Sequence, residues 1–343
     1  MLNGFGRVAR RLWLGLTLIV ATSGFLLMSD MRQRAAGPSA MPKIAIFTFS
    51  SLKGLDDGVR GTVDRLAENG YVDGKTAVIQ IFNAENDLAT ANSIAKQITT
   101  GEYGYVVSVS TNCLQAVAGA NRAGKTKHIF GVVADPSVAK VGVSATDPMD
   151  HPKQMVGIGS MMPPKEILAS ARRFNPRAKK FGLPWNPAQA NSERFTKLAR
   201  EAAEEMGLEL LEAAVDNTAA VGETVSSLVS RGAEAILVLG DVTVGLAIDA
   251  VVTESKKGKI PVISLIPDTV AHGALYAAGV DYYGIGKQMG DLTTRVLKGE
   301  DTAKIPILYD LPVEVGVNLK SLVGLKDHWQ IPQDVLAKAK VVQ

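Results

Sequence analysis

The sequence predicts an α/β protein of two Rossmann-like lobes that face each other across a central cleft. Strand and helix patterns alternate along the chain, and the alternation restarts near residue 180. Such alternation is typical of parallel sheets that carry helices on both faces. In each half a polar loop follows a strand, and the carboxyl ends of parallel strands are where such sheets bind ligands. The repeat therefore predicts one site shared by two similar lobes.

Apolar runs in the first half predict four strands, over residues 43–49, 77–82, 105–109 and 129–133. After the first strand, apolar residues recur at helical spacing over 55–66 and stop before Asn69-Gly70, a signal for a helix end. Further helices are predicted over 88–98 and after the polar loop at 110–112. The first half therefore has the order βαβαβαβ.

The second half repeats this order, with strands predicted over residues 181–185, 208–215, 235–239, 262–266 and 274–279. Helices are predicted over 191–206, over 221–229 and after the loop at 240–243. Near the C-terminal end the pattern predicts a helix over 284–297, one or two strands within 307–317 and a short helix over 336–339. Glycines 284, 286 and 290 do not match the spacing of a dinucleotide loop, and they are interpreted as helix entry and close packing.

The first 36 residues have the pattern of a secretory signal peptide. Arg7, Arg10 and Arg11 precede an uncharged apolar run over residues 12–28, and small residues follow at 35–36. The run also fits an uncleaved N-terminal membrane anchor, because its length is at the lower limit for crossing a bilayer. An exported protein is expected in either case.

Charge and cysteine content narrow the class of protein. The leader carries five arginines and one acid, which leaves 32 basic and 33 acidic side chains in the rest of the chain. A nucleic-acid-binding domain would need a basic excess, so no nucleic-acid partner is expected. The single cysteine, Cys113, excludes an intrachain disulfide. Export without disulfides predicts a bacterial periplasm.

Motifs for catalysis or metal binding are lacking in the sequence. It contains no G-x-S-x-G, and its four histidines are too scattered to predict a zinc site. We therefore expect no enzyme activity, no cofactor and no metal.

Four stretches carry a family resemblance: NGYVDGK at 69–75, VADP at 133–136, WNPAQANS at 185–192 and GALYAAGVDYY at 273–283. In this order they resemble bacterial ABC-transporter substrate-binding proteins of the tryptophan/tyrosine-binding type, and matches extend over about residues 43–340. The chain departs from the family pattern at 151–157, where HPKQMVG replaces G-N-x-T-G, and at Trp185, where the family has tyrosine. These departures affect the expected ligand and leave the expected fold unchanged.

The resemblance implies a type I periplasmic-binding fold, in which three crossings join two lobes. The first lobe is expected to comprise residues 41–157 and 283–303, and the second 158–282 and 304–343. The implied function is that of a monomeric periplasmic component of an importer, which binds an amino acid or similar zwitterion and delivers it to an ABC permease and its ATPase. A ligand-sensing module of a membrane receptor and an exported α/β enzyme are the alternatives.

Polar and aromatic residues at predicted strand ends are the candidate ligand contacts. The first lobe would supply Ser50, Ser51, Thr111 and Asp135, and the second Asn191, Asp241, Thr243, Asp281 and Tyr282. Hydroxyls at a helix N-terminus suit a carboxylate, acidic side chains suit an amine, and an aromatic face suits a ring or a cation. The same residues also fit ordinary helix N-caps, turns and hinge packing.

Overall fold

The computed structural model describes residue 22 and residues 41–342, so the predicted leader over 1–36 lies outside the described residues apart from Thr22. Within this described part, no helix is both long enough and apolar enough to cross a membrane.

The first lobe is built on a five-stranded sheet with the order β2-β1-β3-β4-β5. Its strands are β1 Lys43–Thr48, β2 Val78–Asn83, β3 Tyr105–Val109, β4 Lys127–Val133 and β5 Met155–Gly159. All neighbouring strands pair in parallel, so their carboxyl ends lie at one edge of the sheet. Helices connect the first four strands, as the alternation predicts.

The second lobe has a seven-stranded sheet with the order β12-β11-β10-β9-β8-β6-β7. Its strands are β6 Lys180–Trp185, β7 Glu209–Ala214, β8 Ala235–Val238, β9 Val262–Ser264, β10 Tyr276–Val280, β11 Val313–Asn318 and β12 Lys340–Val342. Strands β10 and β11 pair antiparallel, whereas the other pairs are parallel.

Ten α-helices lie within the described residues: α1 Lys53–Glu68, α2 Leu88–Ile98, α3 Thr111–Ala120, α4 Pro164–Phe174, α5 Ala190–Glu205, α6 Val221–Ser230, α7 Val242–Leu246, α8 Ile248–Lys257, α9 Tyr282–Leu297 and α10 Gln333–Leu336. Short 3-10 helices add Thr218–Ala220, Pro267–Val270, Thr302–Lys304 and Leu319–Leu322. The predicted two-lobed α/β fold is confirmed. Strands β5 and β12 and helix α4 were not predicted.

The chain passes between the lobes three times: after β5, at Asp281 between β10 and α9, and before β11. The sequence analysis predicts the third crossing at residues 303/304, but in the structure it comes later in the chain. Leu308 N donates to Gly157 O at 2.9 Å, and Leu308 O accepts from Gly159 N at 2.9 Å. The segment around Leu308 therefore pairs with the backbone N–H and C=O groups at the outer edge of β5 and belongs to the first lobe.

Helix α9 returns to the first lobe and packs closely on α1. A Cβ atom on Gly61 would overlap the carbonyl oxygen of Tyr283, and one on Gly286 would overlap that of Gly58. Thr62 Oγ1 also donates to Gly286 O at 3.2 Å. Glycine at these positions lets the two backbones touch, which is the close packing that the sequence predicts for Gly286.

A buried polar pair lies within the first sheet. His128 Nε2 and Ser108 Oγ are 2.8 Å apart on the neighbouring strands β4 and β3, and both residues are fully buried. Burial lowers the pKa of His128 to about 3, because the charged imidazolium has lost its water. The histidine is therefore neutral in the folded protein at neutral pH.

Alanine at Gly61 should destabilise the first lobe. Its Cβ meets backbone atoms of α9, which cannot rotate away, so the helices must separate; overpacking of this kind costs about 1–3 kcal/mol. Gly119→Ala is the matched control, because that helical glycine has open space around it and the change should stabilise by about 0.5–1 kcal/mol. Urea unfolding measures both, and equal stability of the two variants would contradict the packing.

His128 should make the fold less stable in acid. Unfolding raises its pKa from about 3 to an ordinary value near 6.5, so only the unfolded state takes up this proton between those pH values. Stability should therefore fall as pH drops through this window, by up to about 1.4 kcal/mol per unit from this group. His128→Gln should flatten the slope in urea titrations at pH 7 to 4.5. The same slope in both proteins would contradict the buried neutral histidine.

Candidate functional site

A cavity of about 60 Å³ lies between the lobes, and with the adjoining space that opens to solvent the unfilled volume is about 660 Å³. The residues around it follow the carboxyl ends of β1, β3, β4 and β5 in the first lobe and of β6, β8, β9 and β10 in the second. The cavity therefore lies where the cleft was predicted.

Most of the cavity wall is apolar. Leu52, Leu55 and Val132 contribute from the first lobe, and Phe195 and Ile266 from the second. Among the residues that line this cavity, all of them within the described part, Asp241 alone is an acid or a base of the Asp, Glu, Lys, Arg or His type. The site therefore combines a large apolar surface with few polar groups, as small-molecule sites commonly do.

The N-terminus of α3 forms the polar part of the first-lobe wall. Ser110 and Thr111 line the cavity, and Ser110 caps the helix by accepting from Cys113 N at 3.2 Å. The first turn of a helix leaves N–H groups without partners in the helix and carries a partial positive charge. Thr111 thus lies where an anionic group would be stabilised.

The backbone is strained at two neighbouring points of this wall. Ser110 has φ 121° and Val132 has φ 54°, although a β-branched residue strongly disfavours positive φ. Both residues line the cavity, and Ser110 N donates to Gly131 O at 3.2 Å, which ties the two strained positions together. Strain of this kind costs about 1–3 kcal/mol and is concentrated at functional sites.

Asn191 and Asp241 form the polar wall of the second lobe. Asn191 Nδ2 donates to Gly240 O, whereas its Oδ1 is buried and has no hydrogen-bond partner within the described chain. An unpaired buried acceptor costs about 1–3 kcal/mol. Asn191 Oδ1 is therefore an acceptor that a ligand donor could satisfy.

Asp241 holds the second-lobe wall in place. Its carboxylate accepts from Asn186 N at 2.7 Å, from Val244 N at 2.8 Å as the N-cap of α7, and from Ser192 Oγ. Burial raises the pKa of Asp241, and the hydrogen bonds oppose that shift. The side chain thus links the loop after β6 to the start of α7, and it adds negative charge to the cavity wall.

Tyr282, the first residue of α9, packs against the cores of both lobes. Its ring lies on the start of α1, where a Cβ on Gly54 would come 2.8 Å from ring carbon Cδ2. Burial raises the pKa of Tyr282 to about 12, so its phenol is neutral. Tyr283 faces away from the cavity instead, and its hydroxyl donates to Asp64 at 2.9 Å.

Thr111, Asn191, Asp241 and Tyr282 are therefore the sequence candidates that the structure brings together around the cavity. The other five do not line it: Ser50, Ser51, Asp135, Thr243 and Asp281.

Four of those five have the following surroundings in the structure. Ser50 is buried, and its Oγ has no partner in the described chain. Ser51 is exposed and accepts from Asn83 Nδ2 at 2.9 Å. Thr243 Oγ1 accepts from the side chains of Asn186 and Gln189, and Asp281 caps α9 through Gly284 N at 3.0 Å. Thr243 and Asp281 thus stabilise the loops and helix that carry the site.

Asp135 was expected to face a ligand amine, but it pairs with Arg194 of α5. Arg194 Nε donates to Asp135 Oδ2 at 2.9 Å across the two lobes. Sequence reasoning missed both Arg194 and Phe195. The spacing to Asn191 was the available signal, because residues three and four positions apart share a helix face.

Histidine, cysteine and acidic side chains are not clustered for metal binding: among the described residues, no group of three or more is arranged to hold a metal ion. The apolar wall, the N-terminus of α3 and Asn191 Oδ1 together suit a small, mainly apolar molecule that carries an anionic group and a hydrogen-bond donor.

A family model described as ABC transporter substrate binding protein matches residues 43–343. A tyrosine-binding protein of Clostridioides difficile (strain R20291) is 27% identical over 271 residues, which are 79% of this chain and 77% of that protein.

Two solved structures are each 26% identical to this chain. One is an ABC domain in complex with L-Trp from Streptococcus pneumoniae, with a TM-score of 0.80 over 89% of this chain and 100% of that one. The other is the ligand-free, open structure of a substrate binding protein with adhesive properties from Clostridium difficile, with a TM-score of 0.65 over 88% and 99%. Since the family model spans both lobes, the chain belongs to the ABC transporter substrate-binding protein family, as the four sequence motifs predict.

Proposed function

We propose that this chain is the periplasmic binding component of an ABC importer for an aromatic L-amino acid. The observation that carries the proposal is the composition of the cavity. An apolar space between two lobes has a helix N-terminus on one wall and an unpaired acceptor beside a carboxylate on the other. A zwitterion with a large apolar side chain complements all three features.

The ligand carboxylate would bind at the N-terminus of α3. Ser110 and Thr111 offer hydroxyls there, and the first helical N–H groups point outward. No lysine or arginine lines the cavity among its described residues, so the helix end takes the place of a countercharge.

The ligand ammonium would bind at the second-lobe wall. Asn191 Oδ1 would accept its hydrogen bond, and the carboxylate of Asp241 on the same wall would attract it. The two ligand charges would thus be held by different lobes, and binding would favour the closed form.

The apolar wall favours an aromatic side chain. Phe195 and Tyr282 offer ring faces, and Leu52, Leu55 and Val132 add aliphatic surface. Two relatives, the tyrosine-binding protein and the complex with L-Trp, agree with this choice.

The lobe arrangement supports a closing mechanism. The two relatives are equally similar in sequence, yet the L-Trp complex matches the structure better than the open, ligand-free protein does. This better match to a ligand complex supports a closed arrangement of the two lobes. In the proposed cycle a monomer closes on its ligand in the periplasm and docks on the permease. It releases the ligand when the partner ATPase hydrolyses ATP.

Binding should require an aromatic ring, a carboxylate and an amine together. L-tyrosine, L-tryptophan and L-phenylalanine should give heat in isothermal titration, whereas L-glutamate and glucose should give none. Tyramine lacks the carboxylate and 3-(4-hydroxyphenyl)propionate lacks the amine, so each should bind at least about tenfold more weakly than L-tyrosine, since a hydrogen bond to a charged group contributes about 1.5–3 kcal/mol. Equal binding of tyramine and L-tyrosine would contradict the site.

Isothermal titration of the variant Asn191→Leu tests whether the ligand ammonium binds at Asn191 Oδ1. It removes the unpaired acceptor and should weaken L-tyrosine binding by about 10- to 100-fold. Asn92→Leu is the matched control, because Asn92 lies exposed on α2 and donates to Leu88 O. Thr111→Val should weaken binding at the opposite wall. Thermal unfolding confirms that each variant is folded.

A further inference from the structure

The ion pair between Arg194 and Asp135 joins the two lobes beside the cavity. Arg194 belongs to α5 of the second lobe, and Asp135 follows β4 of the first. Their side chains are 25% and 12% exposed, and the Nε–Oδ2 distance is 2.9 Å. A second pair across the lobes, Lys53 with Asp268, is longer at 3.8 Å, and its lysine is 56% exposed. The Asp135–Arg194 pair is therefore the better shielded of the two.

Asp135 is oriented for this contact by its own lobe. Its Oδ1 accepts from Ser137 N at 3.1 Å and from Ser137 Oγ at 2.6 Å, which leaves Oδ2 for Arg194. These local bonds do not depend on the second lobe. The carboxylate therefore keeps its position when the lobes separate, and little conformational entropy is lost when Arg194 returns.

Helix α5 connects the pair to the cavity. Asn191 and Phe195 line the cavity from the same helix that carries Arg194. Residues three and four positions apart lie side by side on a helix. A movement of α5 that separates Arg194 from Asp135 therefore also withdraws Asn191 and Phe195 from the first lobe.

We infer that Asp135 and Arg194 form a latch, which holds the lobes closed without touching the ligand. This inference rests on the proposed function, because it concerns the closing step of the same binding cycle. The latch favours the closed state and so raises the fraction of protein that can retain ligand, and apparent affinity scales with that fraction. Asp135 then acts as a positioning residue, in contrast to the direct ligand contact that the sequence predicts.

Charge reversal separates the two roles of Asp135. Asp135→Lys and Arg194→Glu each place like charges across the lobes, and each should raise the dissociation rate of L-tyrosine about 3- to 10-fold or more in stopped-flow measurements. The double variant Asp135→Lys/Arg194→Glu restores an ion pair of opposite polarity and should recover most of the wild-type rate. If Asp135 instead contacted the ligand amine, lysine there would repel it and the double variant would stay weak.

Arg200→Glu is the matched control on the same helix. Arg200 pairs with Glu212 at 2.8 Å within the second lobe, so its reversal breaks an ion pair without affecting contact between lobes. It should leave the dissociation rate unchanged. An effect equal to that of Arg194→Glu would assign both to general destabilisation and would overturn the latch.

Lobe distance is a second measurement that needs no ligand. Cys113 is buried, so spin labels can be attached to Asn92→Cys on α2 and Ser226→Cys on α6, which are exposed positions on different lobes. Double electron–electron resonance should show a longer mean distance in each single reversal than in the unreversed protein, and a return to the shorter distance in the double reversal.

The dissociation rates and the lobe distances together distinguish a failure of the proposed function from a failure of the latch. If no aromatic amino acid binds the wild-type protein, the proposed function fails and the distances alone decide on the latch. If the distances are the same in all four proteins, the latch is wrong whatever the ligand is. A double reversal that dissociates as fast as the single variants would also overturn it.

Discussion

The close contact between α1 and α9 is the constraint on which the site depends. Helix α9 begins as the chain returns from the second lobe, and the glycines of the two helices allow their backbones to touch. This contact fixes Tyr282 between the lobes, against the start of α1. Bulkier residues in the contact would move the second crossing and, with it, one wall of the cavity. The packing of these two helices therefore fixes the position of one wall of the cleft.

The polar groups of the site fall into two classes. Asp241 and Thr243 have several hydrogen-bond partners and hold the second-lobe loops in place. Asn191 Oδ1 lacks a partner in the described chain, and the first-lobe wall is strained at Ser110 and Val132. Rigid loops that carry an unsatisfied acceptor are the arrangement expected of a preorganised binding site, because little reorganisation is needed when the ligand arrives.

Much of the fold could be predicted from the sequence, because apolar periodicity reflects burial directly. The strand at Tyr105–Val109 was predicted to the residue. Strand β5 was missed because it contains Gly157 and Gly159, which weaken the strand pattern. Tertiary packing requires glycine at both positions. A Cβ on Gly157 would overlap Phe130, and a Cβ on Gly159 would overlap the ring of Tyr309. The third crossing between the lobes was predicted too early, after residue 303. The segment that follows residue 303 pairs with the edge of β5, and such pairing gives no recognisable pattern in the local sequence.

The site was predicted less completely, because strand ends indicate where loops lie and not which side chains point inward. Thr111 and Asn191 open helices at strand ends and line the cavity, whereas Asp281 has the same signature and caps its own helix. The role of Asp135 could not be predicted from the sequence, because its partner Arg194 is distant in the chain and belongs to the other lobe.

A crystal structure of the protein with L-tyrosine tests the central claim most directly. The account predicts one ligand between the lobes, with its carboxylate oxygens within about 3.2 Å of the first N–H groups of α3 and its ammonium at a similar distance from Asn191 Oδ1. A ligand bound outside this cavity, or one held by a single lobe while the other remains apart, would contradict the account.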